Sequence, residues 1–522
     1  MKLRFLFSTA LLVGSASLQA QDSEKAPENW FNLDPQLDNV RGVSSERAYN
    51  ELLKGKTGRT IIVAVIDSGV DITHEDLQGK IWVNTKEIAG NGKDDDKNGF
   101  VDDVNGWNFL GGKNGKNVVQ DSYELTREYV RLSKKFGKKA DTKDPEYAYY
   151  EKVKKELDEK RKEKEEQSLQ LKPMYDAIQT IRKELGSKPL TADNVKNISS
   201  VDKKVMDAKN IVSYLYTVDS PEELEEYYNK VIKNALEYGY NPKFDPRKIV
   251  GDNPKKLREK GYGNNDVKGP DAFHGTHVAG IIAANRENAL GIKGVAQNVL
   301  IMPIRAVPDG DERDKDVANA IYYAVDNGAH IINMSFGKAY SPDKKFVDEA
   351  VRYAESKGVL LVHAAGNDAK NLEEENNFPN RKYADTGKEA SNWLEIGASG
   401  WSNDNSKFVA NFSNYGKSKV DVFAPGVDIY STVPDKNAYK NASGTSMAAP
   451  TTSGVAALIM SYYPKLTATQ VKDILMKSSI KYTQKINKPG EKGTNALMTD
   501  LCISGGIVNA YEALKMAEEM SK

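Results

Sequence analysis

Four short segments of this 522-residue chain carry side chains suited to nucleophilic catalysis. Asp67 ends the apolar run Ile61-Ile62-Val63-Ala64-Val65-Ile66 and precedes Ser68-Gly69. A carboxylate at the carboxyl end of a buried parallel strand sits where open α/β sheets place ligands and catalysis. An isolated Asp there more often makes a turn or a helix cap. His274 opens His274-Gly275-Thr276-His277-Val278-Ala279-Gly280. The small residues keep the first helical turns slim, which lets the helix pack closely and leaves His274 facing a cleft. The chain has five histidines, and His274 is the one followed by glycine at an expected helix start. Ser446 lies in Asn441-Ala442-Ser443-Gly444-Thr445-Ser446-Met447-Ala448-Ala449-Pro450, a small-residue turn leading into a helix. A hydroxyl at that helix N-terminus has free N–H groups and the macrodipole beside it, which can stabilise a developing oxyanion. Pro450 is expected in the first turn, where proline is tolerated. Asn367, after Val362-His363-Ala364-Ala365-Gly366, offers a side-chain amide donor to the same anion.

These residues need a scaffold that brings them together. Continuous, mostly β-branched runs at 61–66, 300–305, 331–334, 359–362, 394–398 and 420–423 suit strands buried on both faces of a parallel sheet. Helical patterns at 274–284, 314–327 and 345–357 alternate with them. Strand–helix alternation predicts an α/β three-layer sandwich with a mainly parallel sheet. Helices are also expected over 446–462 and 508–520, and over 471–477 with a Thr467–Gln470 capping box.

The segments around Asp67, His274, Asn367 and Ser446 together resemble the subtilisin-like serine protease (subtilase) family, and so does the order Asp, His, Ser. The matching segments are Ile66-Asp67-Ser68-Gly69-Val70-Asp71, His274-Gly275-Thr276-His277-Val278-Ala279-Gly280, Ala364-Ala365-Gly366-Asn367 and Gly444-Thr445-Ser446-Met447-Ala448-Ala449-Pro450. The resemblance implies a serine endopeptidase. Ser446 attacks the scissile carbonyl, His274 moves the proton, and Asp67 orients and stabilises the imidazolium. Asn367 and the Ser446 N–H form the oxyanion hole. Ser335-Phe336-Gly337 resembles the strand edge on which the family lays its peptide substrate. Ala364-Ala365-Gly366 would line the opposite side of the pocket for the P1 side chain, leaving room for a large group. Phe336 departs from the family's common Leu. The alternative is a pseudoprotease that binds peptides on the same groove, and the complete triad argues against it. A lipase or esterase is disfavoured because Gly444-x-Ser446-x-Ala448 is not a Gly-x-Ser-x-Gly elbow.

No cofactor is required for this chemistry, but two stretches suggest structural calcium. Asp94, Asp96 and Asn98, with Gly99, fit the first positions of a calcium loop, though position 12 is Asn105 and not Glu. The stretch Asn288-Ala289-Leu290-Gly291-Ile292 resembles the family's calcium loop, which implies Asn288 and Asp76 as ligands.

Residues 1–20 carry the charged start, apolar run and small-residue end of a secretory signal, with cleavage expected near Ala20. Export to the periplasm or the exterior follows, and no membrane span is expected in the mature chain. Residues 21–58 form an N-terminal extension, too short for the family's usual propeptide. The catalytic part is read as 59–120 and 266–520, interrupted by a Lys- and Glu-dense helical insertion over 121–265. That insertion re-enters just before His274, so its base must lie near the cleft. It is read as a solvated spacer or as a lid or partner arm. Basic and acidic residues balance at 74 each, which excludes a chain-wide basic footprint for nucleic acid and leaves a peptide or protein as the partner. The one cysteine, Cys502, excludes an intrachain disulfide and reads as a small buried residue.

Overall fold

The computed structural model describes residues 25–522, apart from 138–140, 219, 403, 436 and 492. The expected signal peptide lies outside the described residues.

The apolar runs form the strands they predict. They are β1 (Ile61–Asp67), β3 (Val299–Arg305), β4 (Ile331–Met334), β5 (Leu360–Ala364), β6 (Trp393–Ser399) and β7 (Val422–Pro425), and a short β2 (Trp107–Asn108) joins them. All pair in parallel, in the spatial order β7-β6-β5-β4-β1-β3-β2. Two short strands extend the β7 side, Gly506–Ile507 in parallel and Ile480–Lys481 antiparallel, making nine strands in all. Alternate residues of β1 enter different cores. Ile61, Val63 and Val65 pack on one face of the sheet, Ala64 and Ile66 on the other. This two-sided burial is why the run has no polar alternation.

The insertion folds as α2 (Glu124–Phe136), the 39-residue α3 (Tyr147–Leu185), α4 (Ala192–Lys196), α5 (Lys203–Val218) and α6 (Pro221–Tyr227); it follows α1 (Ser45–Glu51) in the chain. Helix α3 runs back along α2, with Tyr149 bonded to Glu128 and Arg131 to Glu146. Apolar residues of α3 cluster near its two ends, with Leu125, Leu132 and Phe136 of α2 at one and Val205, Val212 and Leu215 of α5 at the other. The middle of α3 is solvated and carries i,i+4 ion pairs such as Arg161–Glu165. The cores around α2–α6 are separate from those of the sheet, whereas Val250 and Tyr262 at the end of the insertion join the sheet core that holds Ala64 and Ile66.

Helices α7 (Phe273–Ala283) and α10 (Thr445–Tyr462) cover one face of the sheet; α8 (Asp314–Asp326) and α9 (Lys344–Ser356) cover the other. The N-terminal extension packs on the α7–α10 side, where Trp30 and Phe31 are fully buried. Among the expected helices, α11 (Ala468–Lys477) has the Thr467–Gln470 capping box. Pro450 corrects an expectation: it lies inside α10 and not in its first turn. Cys502 is fully buried. Among the described residues, no helix is long and apolar enough to cross a membrane.

Candidate active site

Strand order reverses around β1, whose neighbours β3 and β4 lie on opposite sides. In open α/β sheets a crevice opens at the carboxyl ends of strands at such a switch point. Asp67 ends β1 there, and Ser335 follows β4.

His274 stands in the first turn of α7, half-buried, with Nδ1 2.8 Å from Asp67 Oδ1. Oδ1 also accepts the Ser68 N–H at 2.7 Å. The other Asp67 oxygen is buried and has no donor among the described residues. Close approach of α7 to β1 requires Gly275. A Cβ there would collide with the Gly69 carbonyl and come within 3.1 Å of the Asp67 Cβ. Burial pulls the His274 pKa down, but the Asp67 charge and hydrogen bond outweigh it and hold the imidazole above its usual value. His277, one turn on, is different. Its Nε2 is 3.0 Å from the carbonyls of Ile429 and Lys440, and burial pushes it down to about 4, so it is a neutral core histidine.

Ser446 is the second residue of α10. Its Oγ donates to the Ser335 carbonyl at 3.2 Å, and no hydrogen bond joins it to His274 among the described residues. Catalytic hydrogen bonds are often loose before substrate arrives. Pro450 adds a second tie to β4. It has no N–H for the Ser446 carbonyl four residues back, and that carbonyl accepts from Ser335 Oγ at 2.9 Å instead.

The orientation of the Asn367 amide is fixed. Its Oδ1 accepts the Thr445 N–H at 2.8 Å and the Thr445 hydroxyl at 3.0 Å. The Nδ2 donor is therefore left over, beside the turn at Gly444 that opens α10. An amide donor and a helix N-terminus side by side can receive negative charge on an oxygen.

The two expected substrate walls face each other across Asn377, a residue that no motif or spacing singles out. Asn377 Nδ2 donates to the carbonyls of Ala364 and Ala365, each at 3.1 Å. On the other side, a Cβ at Gly337 would collide with Asn377 Oδ1. The room that small residues imply is thus partly taken by this amide. Asn414 holds the same wall, donating to Ala365 at 2.8 Å and to the Gly366 carbonyl through its backbone N–H at 2.9 Å. Gly366 N–H donates to Thr445 Oγ1 at 3.0 Å. Phe336 packs edge-on against His363. Both Asn377 and Asn414 lie in irregular segments, where neither spacing nor periodicity marks them.

The insertion is anchored beside this cleft. Lys338, next to Gly337, is almost fully buried and pairs with Glu124 of α2 at 2.7 Å and Asp314 of α8 at 2.8 Å. It also donates to the Glu312 carbonyl at 2.7 Å. Arg127 donates to the carbonyls of Asp311 and Glu312, and Tyr340 bonds Glu156 of α3 at 2.5 Å. Burial pushes the pKa of the Glu312 carboxyl above the usual carboxylate range.

The expected calcium ligands separate into two sets. Asp76 and Asn288 meet, with the Asn288 amide 2.8 Å from Asp76 Oδ1, and Ile292 N–H donates to Oδ2 at 3.3 Å. Both oxygens of Asp76 thus already accept amide hydrogens. In the other stretch, Asp94 accepts the N–H groups of Asn98 and Gly99 and shapes the turn. Asn98 donates to Asp96 and Asp103. Asp96 converges with Glu87 and Asp103, two carboxylates that the loop pattern did not select.

A parallel sheet with an Asp–His pair, a serine at a helix N-terminus and an oriented amide defines a serine-hydrolase type of site. The chain matches the Subtilase family over residues 58–498 and belongs to it. It is 43% identical over 189 residues to a thermophilic serine proteinase of Bacillus sp. (strain AK1), covering 36% of this chain and 42% of that protein. It is 37% identical over 203 residues to subtilisin DY of Bacillus licheniformis, covering 39% and 68%. Thermitase of Thermoactinomyces vulgaris is 42% identical over 189 residues, covering 36% and 61%.

Proposed function

We propose that this chain is an exported serine endopeptidase that cleaves peptide bonds through an acyl-enzyme. The Asp67–His274 contact carries the reading, with Ser446 on the neighbouring helix as nucleophile. In the reaction Ser446 Oγ leaves the Ser335 carbonyl and gives its proton to His274 Nε2 as it attacks the scissile carbon. Asp67 holds the proton on Nδ1 and stabilises the imidazolium. Asn367 Nδ2 and the Ser446 N–H receive the oxyanion. His274 then protonates the leaving amine, and water repeats the sequence to release the acid. The serine-proteinase names of the relatives support the same class of reaction. The cleft lies between the edge at 335–337 and the wall at 364–366, with Asn377 limiting depth at the P1 position. The insertion base at Lys338 and Tyr340 adjoins that edge, which favours flexible peptides over folded proteins as substrates.

A fluorophosphonate probe tests the reading. The wild-type chain is expected to label at one serine, and Ser446→Ala is expected to lose the label and about 10⁶ in kcat. Folded wild-type protein that does not label would instead be a peptide-binding pseudoenzyme.

A further inference from the structure

A peptide strand added beside Ser446 has to lie over the carboxyl end of β1. The edge at 335–337 follows β4, and across β1 from it runs the loop 306–313 that follows β3. That loop starts against β1, with the N–H groups of Ala306 and Val307 on the Asp67 carbonyl at 3.0 and 3.2 Å.

The edge itself is short. Lys338 turns its N–H and C=O to Phe378, at 3.0 and 2.8 Å. Successive residues of an extended chain turn these groups to opposite sides, so those of Gly337 face β1. They have no hydrogen-bond partner among the described residues. The Ser335 carbonyl faces the same side and receives Ser446 Oγ at 3.2 Å. The chain then bends at Ala339, and Tyr340 is held by Glu156 of α3 at 2.5 Å.

The chain leading into the insertion takes up the opposite loop. Asp309 gives its N–H to the Val119 carbonyl at 2.8 Å and accepts the Asp121 N–H at 3.0 Å. The Asp311 carbonyl receives both terminal nitrogens of Arg127, each at 3.1 Å. The Glu312 carbonyl receives Arg127 at 3.1 Å and Lys338 at 2.7 Å. A carbonyl oxygen has two lone pairs, so both are filled. Beyond Gly310 this loop therefore has no open carbonyl before it meets Lys338. The Lys338 side chain crosses from the edge to the loop and closes the gap, with Glu124 and Asp314 on the same nitrogen at 2.7 and 2.8 Å. It is 1% exposed, so the crossing is filled space.

We propose that Lys338 is a specificity-determining residue that ends the cleft, so that the enzyme reads three residues before the scissile bond and no fourth. The inference rests on the peptidase reading above. In a peptide laid antiparallel on the edge, the residue that acylates Ser446 lies at Ser335. An added strand advances about 3.3 Å per residue and pairs at every second one, so the third residue meets Gly337. A fourth stands at the Lys338 crossing, where no carbonyl is open to it and its side chain finds no pocket. The substrate class that follows is a peptide chosen by the three residues before the cut and indifferent to those ahead of them.

The test is a length series on the full chain: capped peptides with one to five residues before a chromogenic leaving amide, read as kcat/KM. The value is expected to climb with the second and third residues and to change by less than about twofold with the fourth and fifth. Exchanging Ala for Phe, Lys or Asp at the fourth position is expected to stay within the same limit, whereas a formed pocket discriminates by about tenfold or more. Lys338→Met removes the crossing and is expected to gain a dependence on the fourth residue, seen in KM. Should it fail to fold by circular dichroism, the parental series decides alone. A gain or selectivity of about tenfold at the fourth residue of the parent overturns the proposal. So does a series that levels off before the third residue, or a folded Lys338→Met chain that keeps the parental plateau. A folded chain that neither cleaves nor labels with the fluorophosphonate overturns the peptidase reading instead. The same series, read as peptide dissociation constants, then tests the three-residue limit.

Discussion

At the cleft, polar side chains are held by a few hydrogen bonds to backbone groups and neutral side chains. At the base of the insertion, a short distance along the same chain, they are held by interlocked charges. Asp67 faces His274, and Asn367 is turned by the Thr445 backbone; neither involves a lysine or arginine. Lys338, Glu124, Asp314, Arg127 and Asp121 instead form a buried ion network. The two regions meet at 335–338, where the segment after β4 passes into an anchor. The difference reflects their tasks. A reacting group must keep free valence and directional freedom, so its neighbours fix orientation without neutralising it. An anchor must satisfy every charge that it buries, because a lone buried charge is far more costly than a pair.

The contrast can be broken at its charged side first. Lys338→Met leaves Asp314 buried without its cation and Glu124 with Arg127 alone, and should cost about 3–5 kcal/mol in denaturant unfolding. It should also raise cleavage of folded proteins relative to short peptides, because the insertion base is freed. Equal cleavage ratios would show that the insertion does not govern access.

At the cleft the expected change is in rate and not in stability. Asn367→Ala should lower kcat by about 10²–10³, the range known for an oxyanion amide in subtilisin, with a change in melting temperature that is small beside that of Lys338→Met. A loss confined to KM would remove Asn367 from the oxyanion hole.

A smaller effect comes from pH. Asp67 holds His274 above the ordinary imidazole value of 6.5. The proton acceptor is the neutral ring, so kcat/KM should fall as pH drops, with a midpoint above 6.5. The same shift acts on stability with the opposite sign: its contribution is present below the unfolded pKa and lost as pH rises through the folded one. A midpoint below 6.5 would mean that burial, and not Asp67, dominates the ring.

The least effect is expected on the solvated middle of α3. Arg161→Ala removes an exposed i,i+4 pair with Glu165 and should change stability by no more than about 0.5 kcal/mol, read by thermal melting. A loss comparable to that of Lys338→Met would make the arm part of the anchored structure.

Much of this was legible from the residues. Runs such as 61–66 have no polar alternation because both faces of a central parallel strand are buried, so composition alone marks them. Asp67, His274 and Ser446 could be singled out because each sits in a local motif that shapes its own backbone: a strand end, a slim helix start and a turn into a helix. Asn377 and Asn414 could not, because their partners are backbone carbonyls 12 and 49 residues away in the chain. Lys338 was equally silent, since its ion partners lie on the insertion and on α8.

Pro450 marks the boundary between the two kinds of knowledge. A proline four residues after Ser446 is written in the chain, and its nitrogen can give no helical hydrogen bond. That Ser335 fills the bond, and so joins the helix to the segment after β4, follows from the closed fold. The loop carboxylates repeat the lesson. Their charge is written in the chain, but which three converge depends on how the loop closes against Tyr323. Local geometry follows from residue type and spacing, whereas long-range partners follow from the closing of the whole chain.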